Sequence, residues 1–310
     1  MHVFGCNPLK ELKACKSPTH ALLFSEGGQF LITGSNDECV RVWDTFKASV
    51  VCIQTIRHPQ EKWGQITSLI WAYLPPPAHG ASTLALCISS ARGAISMVPF
   101  LKETGMISTT ALTTTAAFAF DHLVESMIYD RQHQWLIAVS QFGLVKVYTL
   151  TSSSTAQLLW QTPSLNSMPK DLSCFGDDKV AAFLLQTGEM VCLSAATGIV
   201  QWRKKLLGAV GYATLSRDST KLLVNNLSTN NFDLYAFPEN TFMRTFTIPE
   251  KTIRHKIKQG TFAGDNDEFV ICGSLHGKVY VFNTESGACI EELRHDPSTL
   301  PCLFRFRFLQ

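Results

Sequence analysis

The sequence predicts an all-β fold assembled from repeated four-stranded antiparallel sheets, and three observations predict it. Residues 30–44 read FLITGSNDECVRVWD, two apolar runs of strand length and strand-favouring composition on either side of a polar tight turn at 35–38. The order of turn, alternating run and large aromatic end returns at 140–148, 228–235 and 273–282, and returns without the aromatic at 90–98 and 186–193. Placing the Trp43 slot on every copy gives positions 4, 43, 98, 148, 193, 235 and 282. Most of these are separated by the ~40 to 50 residues of one four-stranded repeat.

The elements follow in order from those anchors. Val3 and Phe4, then 9–14, read as the outer two strands of one sheet, and Pro18 suits the connector after them because it cannot donate to a ladder. The first full sheet takes 21–25, 31–34, 40–43 and 50–56, with Gly27 and Gly28 turning its first pair. The second takes 66–72, 84–89, 95–98 and 106–112. Three consecutive prolines at 75–77 exclude regular strand from its loop at 74–82, and the Thr-rich stretch 109–120 reads as an extended outer strand with a long connector and no assigned function. The third takes 124–129, 135–139, 145–150 and 158–161, and the fourth 172–175, 180–185, 190–193 and 199–202. The fifth takes 212–215, 222–225, 232–235 and 243–248, and the sixth 258–262, 269–272, 279–282 and 289–293. Residues 302–309, CLFRFRFL, alternate Phe with Arg and read as one more innermost strand.

A strand, a tight turn and a strand closing on Trp43-Asp44 resemble one blade of a WD-repeat β-propeller. The resemblance covers the chain as an architecture and implies a WD-repeat-like β-propeller over residues 1–310, with seven blades of four-stranded antiparallel sheet. Strands at 2–14 would pair with the strand at 302–309 in the closing blade, which by this count lacks its second strand. Its unpaired edges are expected to take a strand from a longer product, a partner or a second copy, so oligomers through the open blade are expected too. In the family, His, Ser or Thr, Asp and Trp tie a blade together. Here Thr33, Asp37 and Trp43 match three of those slots, and the His slot near Ala14 and Cys15 is empty. The Asp slot elsewhere holds Arg92, Phe142, Thr187, Thr229 and His276, so the set cannot repeat around the ring. Its implied role is structural, because a buried indole N–H and a turn carboxylate each need partners. His58 and His295 stand after outermost strands, where the family often has Gly-His, and are expected to anchor the loop into the next blade. Residues 273–295 also look like divergent WD-repeat proteins common in fungal genomes.

Composition narrows function by exclusion. A hydrophobic content of 45% with 20 Phe residues supplies a large core, and charged residues, at 17%, fall below the ~25% of an average globular chain. The net charge is +2 without a long run of like charge, which favours neither nucleic acid nor an anionic membrane. Basic clusters at 203–205 and 251–258 suit solvated loops better than phosphate contacts. Ten Cys without a Cys-x-x-Cys pair, with Cys39, Cys192 and Cys272 in predicted strands, suit small hydrophobes in a reducing compartment. The start of the chain lacks signal-peptide character and no run approaches the ~20 apolar residues of a membrane span, so the expected location is intracellular, cytoplasmic or nuclear.

Chemistry-bearing motifs fail in turn. Neither His-x-Glu nor His-Glu-x-x-His occurs, and 273–278 is one residue short of a phosphate loop, lacking Ser or Thr after Lys278. A Gly-x-Ser-x-Gly elbow is absent. No catalytic residue, cofactor or metal is assigned. The expected function is a non-catalytic scaffold or adaptor binding a protein or peptide on the face that carries the turns between second and third strands, where Trp63, Arg92, Phe142 and His276 are placed. Two alternatives stand beside it. Residues 186–202, with Thr197-Gly198 shortly before Trp202, resemble one repeat of quinone-dependent dehydrogenase propellers, which implies an enzyme. The chain also reads as the sensor end or a fragment of a larger multidomain protein.

Overall fold

The computed structural model of the protein describes residues 17–47, 50–76, 82–185, 187–249 and 256–294. Consecutive strands pair in chain order, so the sheets are up-and-down blades, the second with one added strand off that path. Blade one holds β1 (Thr19–Phe24), β2 (Phe30–Ser35), β3 (Val40–Asp44) and β4 (Val51–Ile56). Blade two holds β5 (Ile66–Leu74), β6 (Thr83–Ser90), β7 (Ala94–Leu101), β8 (Met106–Ile107) and β9 (Thr113–Ala116). Blade three holds β10 (Val124–Asp130), β11 (Trp135–Ser140), β12 (Val145–Leu150) and β13 (Ala156–Gln161). Blade four holds β14 (Pro169–Phe175), β15 (Lys179–Leu184), β16 (Glu189–Ser194) and β17 (Val200–Lys205). Blade five holds β18 (Val210–Leu215), β19 (Lys221–Asn226), β20 (Asn231–Ala236) and β21 (Thr241–Phe246). Blade six holds β22 (Gly260–Ala263), β23 (Phe269–Gly273), β24 (Lys278–Asn283) and β25 (Cys289–Arg294).

The first strand of each blade packs on the first strand of the next, from β1 and β5 through β10, β14 and β18 to β22. These innermost strands surround an axis and the outermost strands form the rim, which is the plan of a β-propeller. The core lies between blades. Ile32 and Val42 of blade one meet Trp63, Leu86 and Ile88 of the next, and Ile137 and Val147 of blade three meet Leu172 and Ala182 of blade four. Middle strands are therefore covered on both faces, which is why β2 is buried throughout, whereas the rim strand β4 is only partly covered, with Val51 and Thr55 exposed.

Six blades are built from the described residues. The strands expected at 2–14 and 302–309, and with them the closing blade, lie outside the described residues. Within the six, a bulge recurs one residue beyond the partner of the Trp43 slot. Ile53, Leu159, Gln201, Met243 and Ile290 are the unpaired extra residues of β4, β13, β17, β21 and β25, and they fall beside the pairs made by Trp43, Tyr148, Leu193, Tyr235 and Phe282. The repeat is thus visible in hydrogen-bond register as well as in sequence.

Blade two departs from the expected outer strand at 106–112. Only β8 pairs with the end of β7; a 3-10 turn at Thr109–Ala111 intervenes, and pairing with the start of β7 resumes in β9. The break falls opposite Pro99, which has no N–H to give to a neighbouring strand. Among the described residues no helix is long and apolar enough to cross a membrane.

Candidate functional site

Strands run up and down each blade, so one end of the ring gathers the turns between second and third strands and the connectors that enter each next blade. In blade one that turn is 36–39, and its chemistry splits in two. On the sheet side, Trp43 Nε1–H donates to Thr33 Oγ1 at 3.0 Å with both residues buried, Trp43 2% and Thr33 1% exposed. On the turn side, Asp37 accepts from Ser35 Oγ at 2.5 Å, from the Cys39 N–H at 3.3 Å and from both Nη atoms of Arg41, the shorter at 2.5 Å. The Arg41 guanidinium holds the Asp37 carboxyl well below the usual carboxylate range, against the opposing effect of burial. The three residues singled out in sequence therefore serve two contact sets, with Arg41 as the partner that sequence reasoning missed.

Arg92 and Phe142 occupy the corresponding turns of blades two and three, and the connector between those blades passes between them. Phe120 of that connector is 69% exposed, with the Arg92 guanidinium 4.9 Å above its ring. Phe142 is 50% exposed and its ring lies 4.5 Å from that of His122. The result is a row of Arg92, Phe120, His122 and Phe142 across the junction of two blades.

The backbone under this row is tied on every side. Phe118 N–H donates to Gly93 O at 2.8 Å, Gln141 N–H to Leu123 O at 3.0 Å and Gln141 Nε2 to Asp121 O at 3.1 Å. Ala117 O accepts from Lys146 Nζ at 2.7 Å and from Tyr148 OH at 3.0 Å. Burial lowers the Lys146 pKa and raises that of the Tyr148 phenol. Gly93, at φ 72°, is the residue that lets the connector approach: a Cβ there would lie 2.3 Å from Ala119 O. On the far side Ser164 Oγ donates to Phe142 O at 2.6 Å. Two exposed Phe rings thus sit on a hydrogen-bonded backbone.

Trp63, expected on the same face, is only 2% exposed and packs in the layer between blades one and two, so its ring is not part of the reachable surface. It ends a hydrogen-bonded chain: His58 Nδ1 accepts from the Glu61 N–H at 2.8 Å, His58 Nε2 meets Thr114 Oγ1 at 3.0 Å, Thr114 Oγ1 meets Ser96 Oγ at 2.9 Å, and Trp63 Nε1–H donates to Ser96 Oγ at 2.9 Å. The acceptor role of Nδ1 makes Nε2 the donor to Thr114. His58 therefore holds the connector into blade two, while His295 lies outside the described residues. His276 is exposed on the turn of blade six, away from the row at blades two and three. Trp202 is half-buried in the layer between blades four and five, with Lys204 Nζ 4.8 Å above its ring.

Among the described residues no three His, Cys, Asp or Glu side chains come together as a metal-binding group. Burial pushes the Cys87 thiol up to about 12 and the Cys192 thiol up to about 11.

Residues 6–44 match the family WD40, described as WD domain, G-beta repeat. The match takes in β1 and β2 and ends on Asp44, the last residue of β3. No curated protein matches the chain.

Proposed function

Proceeding from a WD-repeat-like β-propeller, we propose that the chain is a non-catalytic interaction scaffold that binds a protein or peptide on the face of the second-to-third-strand turns. The observation that carries this reading is the pair of exposed rings, Phe120 and Phe142, flanked by Arg92 and His122 on a hydrogen-bonded frame. Exposed hydrophobics standing next to one another mark interaction sites more often than single ones do, and aromatic and Arg side chains are enriched among interface anchors. In this reading the propeller is one domain over 1–310 whose closing blade joins 2–14 with 302–309, the location is intracellular, and Thr33, Asp37 and Trp43 are structural.

The test is quantitative affinity purification of the wild-type chain and of the Phe120→Ala/Phe142→Ala variant from the native host. Both rings are exposed, so the variant should melt with the wild type. The reading requires a set of proteins at least about tenfold depleted with the variant, the loss of two interface anchors. Equal recovery of every partner sinks it.

A further inference from the structure

Charge is missing from one part of the ring's circumference. No Asp, Glu, Lys, Arg or His occurs at 147–169, between Lys146 and Lys170, or at 190–202, between Glu189 and Arg203, although 17% of the whole chain is charged. These stretches include β13 and the first half of β17, the outermost strands of neighbouring blades three and four. Protein surfaces are usually kept charged for solubility. The other rims differ. β21 carries Arg244 and β25 carries Glu291 and Glu292, while β4, β8 and β9, though uncharged, expose only Val51 and Met106 among large apolar side chains.

The uncharged stretches are also apolar on the outside. Leu158, Leu159, Ile199 and Val200 are between 40% and 66% exposed. Trp160 ties them into one surface: its Nε1–H donates to Ala195 O of the next blade at 2.9 Å, and its ring lies so close to the turn that a Cβ on Gly198 would stand 2.7 Å from it. Ile199 follows directly, so the leucines of one blade and Ile199 and Val200 of the next stand on either side of a single half-buried indole. Gln157, Gln161 and Gln201 are the polar neighbours, and Arg203 and Glu189 pair at the border, 3.6 Å apart. An apolar centre inside a polar margin is the anatomy of a protein interface.

We infer that two copies of the chain meet on this surface, in a two-fold dimer that packs the side chains of β13 and of 196–201 against the same residues of the second copy. Charge and size select a second copy. A partner must be equally uncharged where it lies on the patch, because a charge buried there would find no counter-charge, and the same patch on another copy meets that requirement. A net charge of only +2 leaves little repulsion between copies. Within 149–161 and 196–202, 18 residues are at least partly open to solvent, close to the ~20–30 per side of a stable interface. The extra residues Leu159 and Gln201 kink both strands, so the contact is made by side chains and not by a shared backbone ladder. Phe120 and Phe142 are not part of it.

Sedimentation velocity on the full chain from about 1 to 100 μM tests the dimer, since interfaces of standard size hold at micromolar concentration or below. A dimer is expected, and Leu158→Glu/Ile199→Glu protein should associate at least about tenfold more weakly, as for loss of two anchors at the centre. Both side chains are exposed, so this variant should melt with the wild type; Leu158→Gln/Ile199→Thr serves if it does not. Phe120→Ala/Phe142→Ala and Val51→Glu proteins should dimerise as the wild type does. Amide exchange compared at the two ends of the concentration range should slow at 156–161 and 196–201. A monomer at every concentration overturns the inference and leaves the patch to a different protein. A dimer unweakened by Leu158→Glu/Ile199→Glu overturns it, as does protection confined to other segments. Equal weakening by Val51→Glu also overturns it, showing unspecific association of apolar rims.

Discussion

Replacing Thr33 with Val is the sharpest single test of the repeat register. The two side chains have nearly the same shape, so the change leaves packing in place and removes only the acceptor 3.0 Å from the Trp43 indole N–H. With both residues buried, no water stands ready to replace it, and an orphaned donor of this kind costs about 1–3 kcal/mol. Trp43→Phe is the complementary change: it removes the donor, strands the Thr33 hydroxyl and opens space where the larger ring stood. Once Trp43 is Phe, Thr33→Val removes an already stranded group and should cost little. The double variant should therefore be more stable than the sum of the single losses implies, with a coupling on the order of 1 kcal/mol. Urea unfolding at neutral pH, followed by fluorescence and by circular dichroism, measures all four proteins. For a chain of this size each kcal/mol also moves the melting temperature by roughly 2–4 °C. An unchanged midpoint for Thr33→Val together with strictly additive losses would falsify the pairing and the register built on it.

Two further outcomes are expected. Because Arg41 depresses the Asp37 pKa in the folded state, stability from their pair is fully present above the unfolded carboxylate value of ~3.9 and is lost as pH falls from there toward the folded value. The stability gap between wild type and Asp37→Asn should hold from pH 7 to about 5 and shrink below about 4; a gap undiminished at pH 2.5 contradicts the pairing. Gly93→Ala combines a left-handed backbone with a Cβ 2.3 Å from Ala119 O, so it should destabilise by ~1–2 kcal/mol or more and speed amide exchange across 118–122, and unaltered exchange there would refute the close approach.

The repeat was legible because its carriers are periodic. Trp43, Tyr148, Tyr235 and Phe282 recur one or two blades apart, and the recurring bulge beside each shows that they hold equivalent places in the pairing. The outer strand of blade two was hard to read because β9 is Thr-Thr-Thr-Ala: it lies on the rim, where no apolar alternation is required, and it resumes after a turn. Trp63 looked like a surface residue because a connector has no period from which to read its direction. Phe120 and His122 went unassigned for the same reason, although Phe118, Phe120 and His122 just ahead of β10 are an aromatic cluster that marks the spot.

The kinks in the outermost strands bear on how copies of this molecule meet one another. In β4, paired runs of two and three residues stand on either side of Ile53, and β13, β17, β21 and β25 are interrupted in the same way. An incoming strand would have to match a bent, overtwisted backbone to extend such a blade, and the mismatch leaves hydrogen-bonding groups of both chains unmet. The kinks therefore oppose strand-by-strand joining of two rings at the blades that carry them, although Leu158, Leu159 and Met243 stand exposed there.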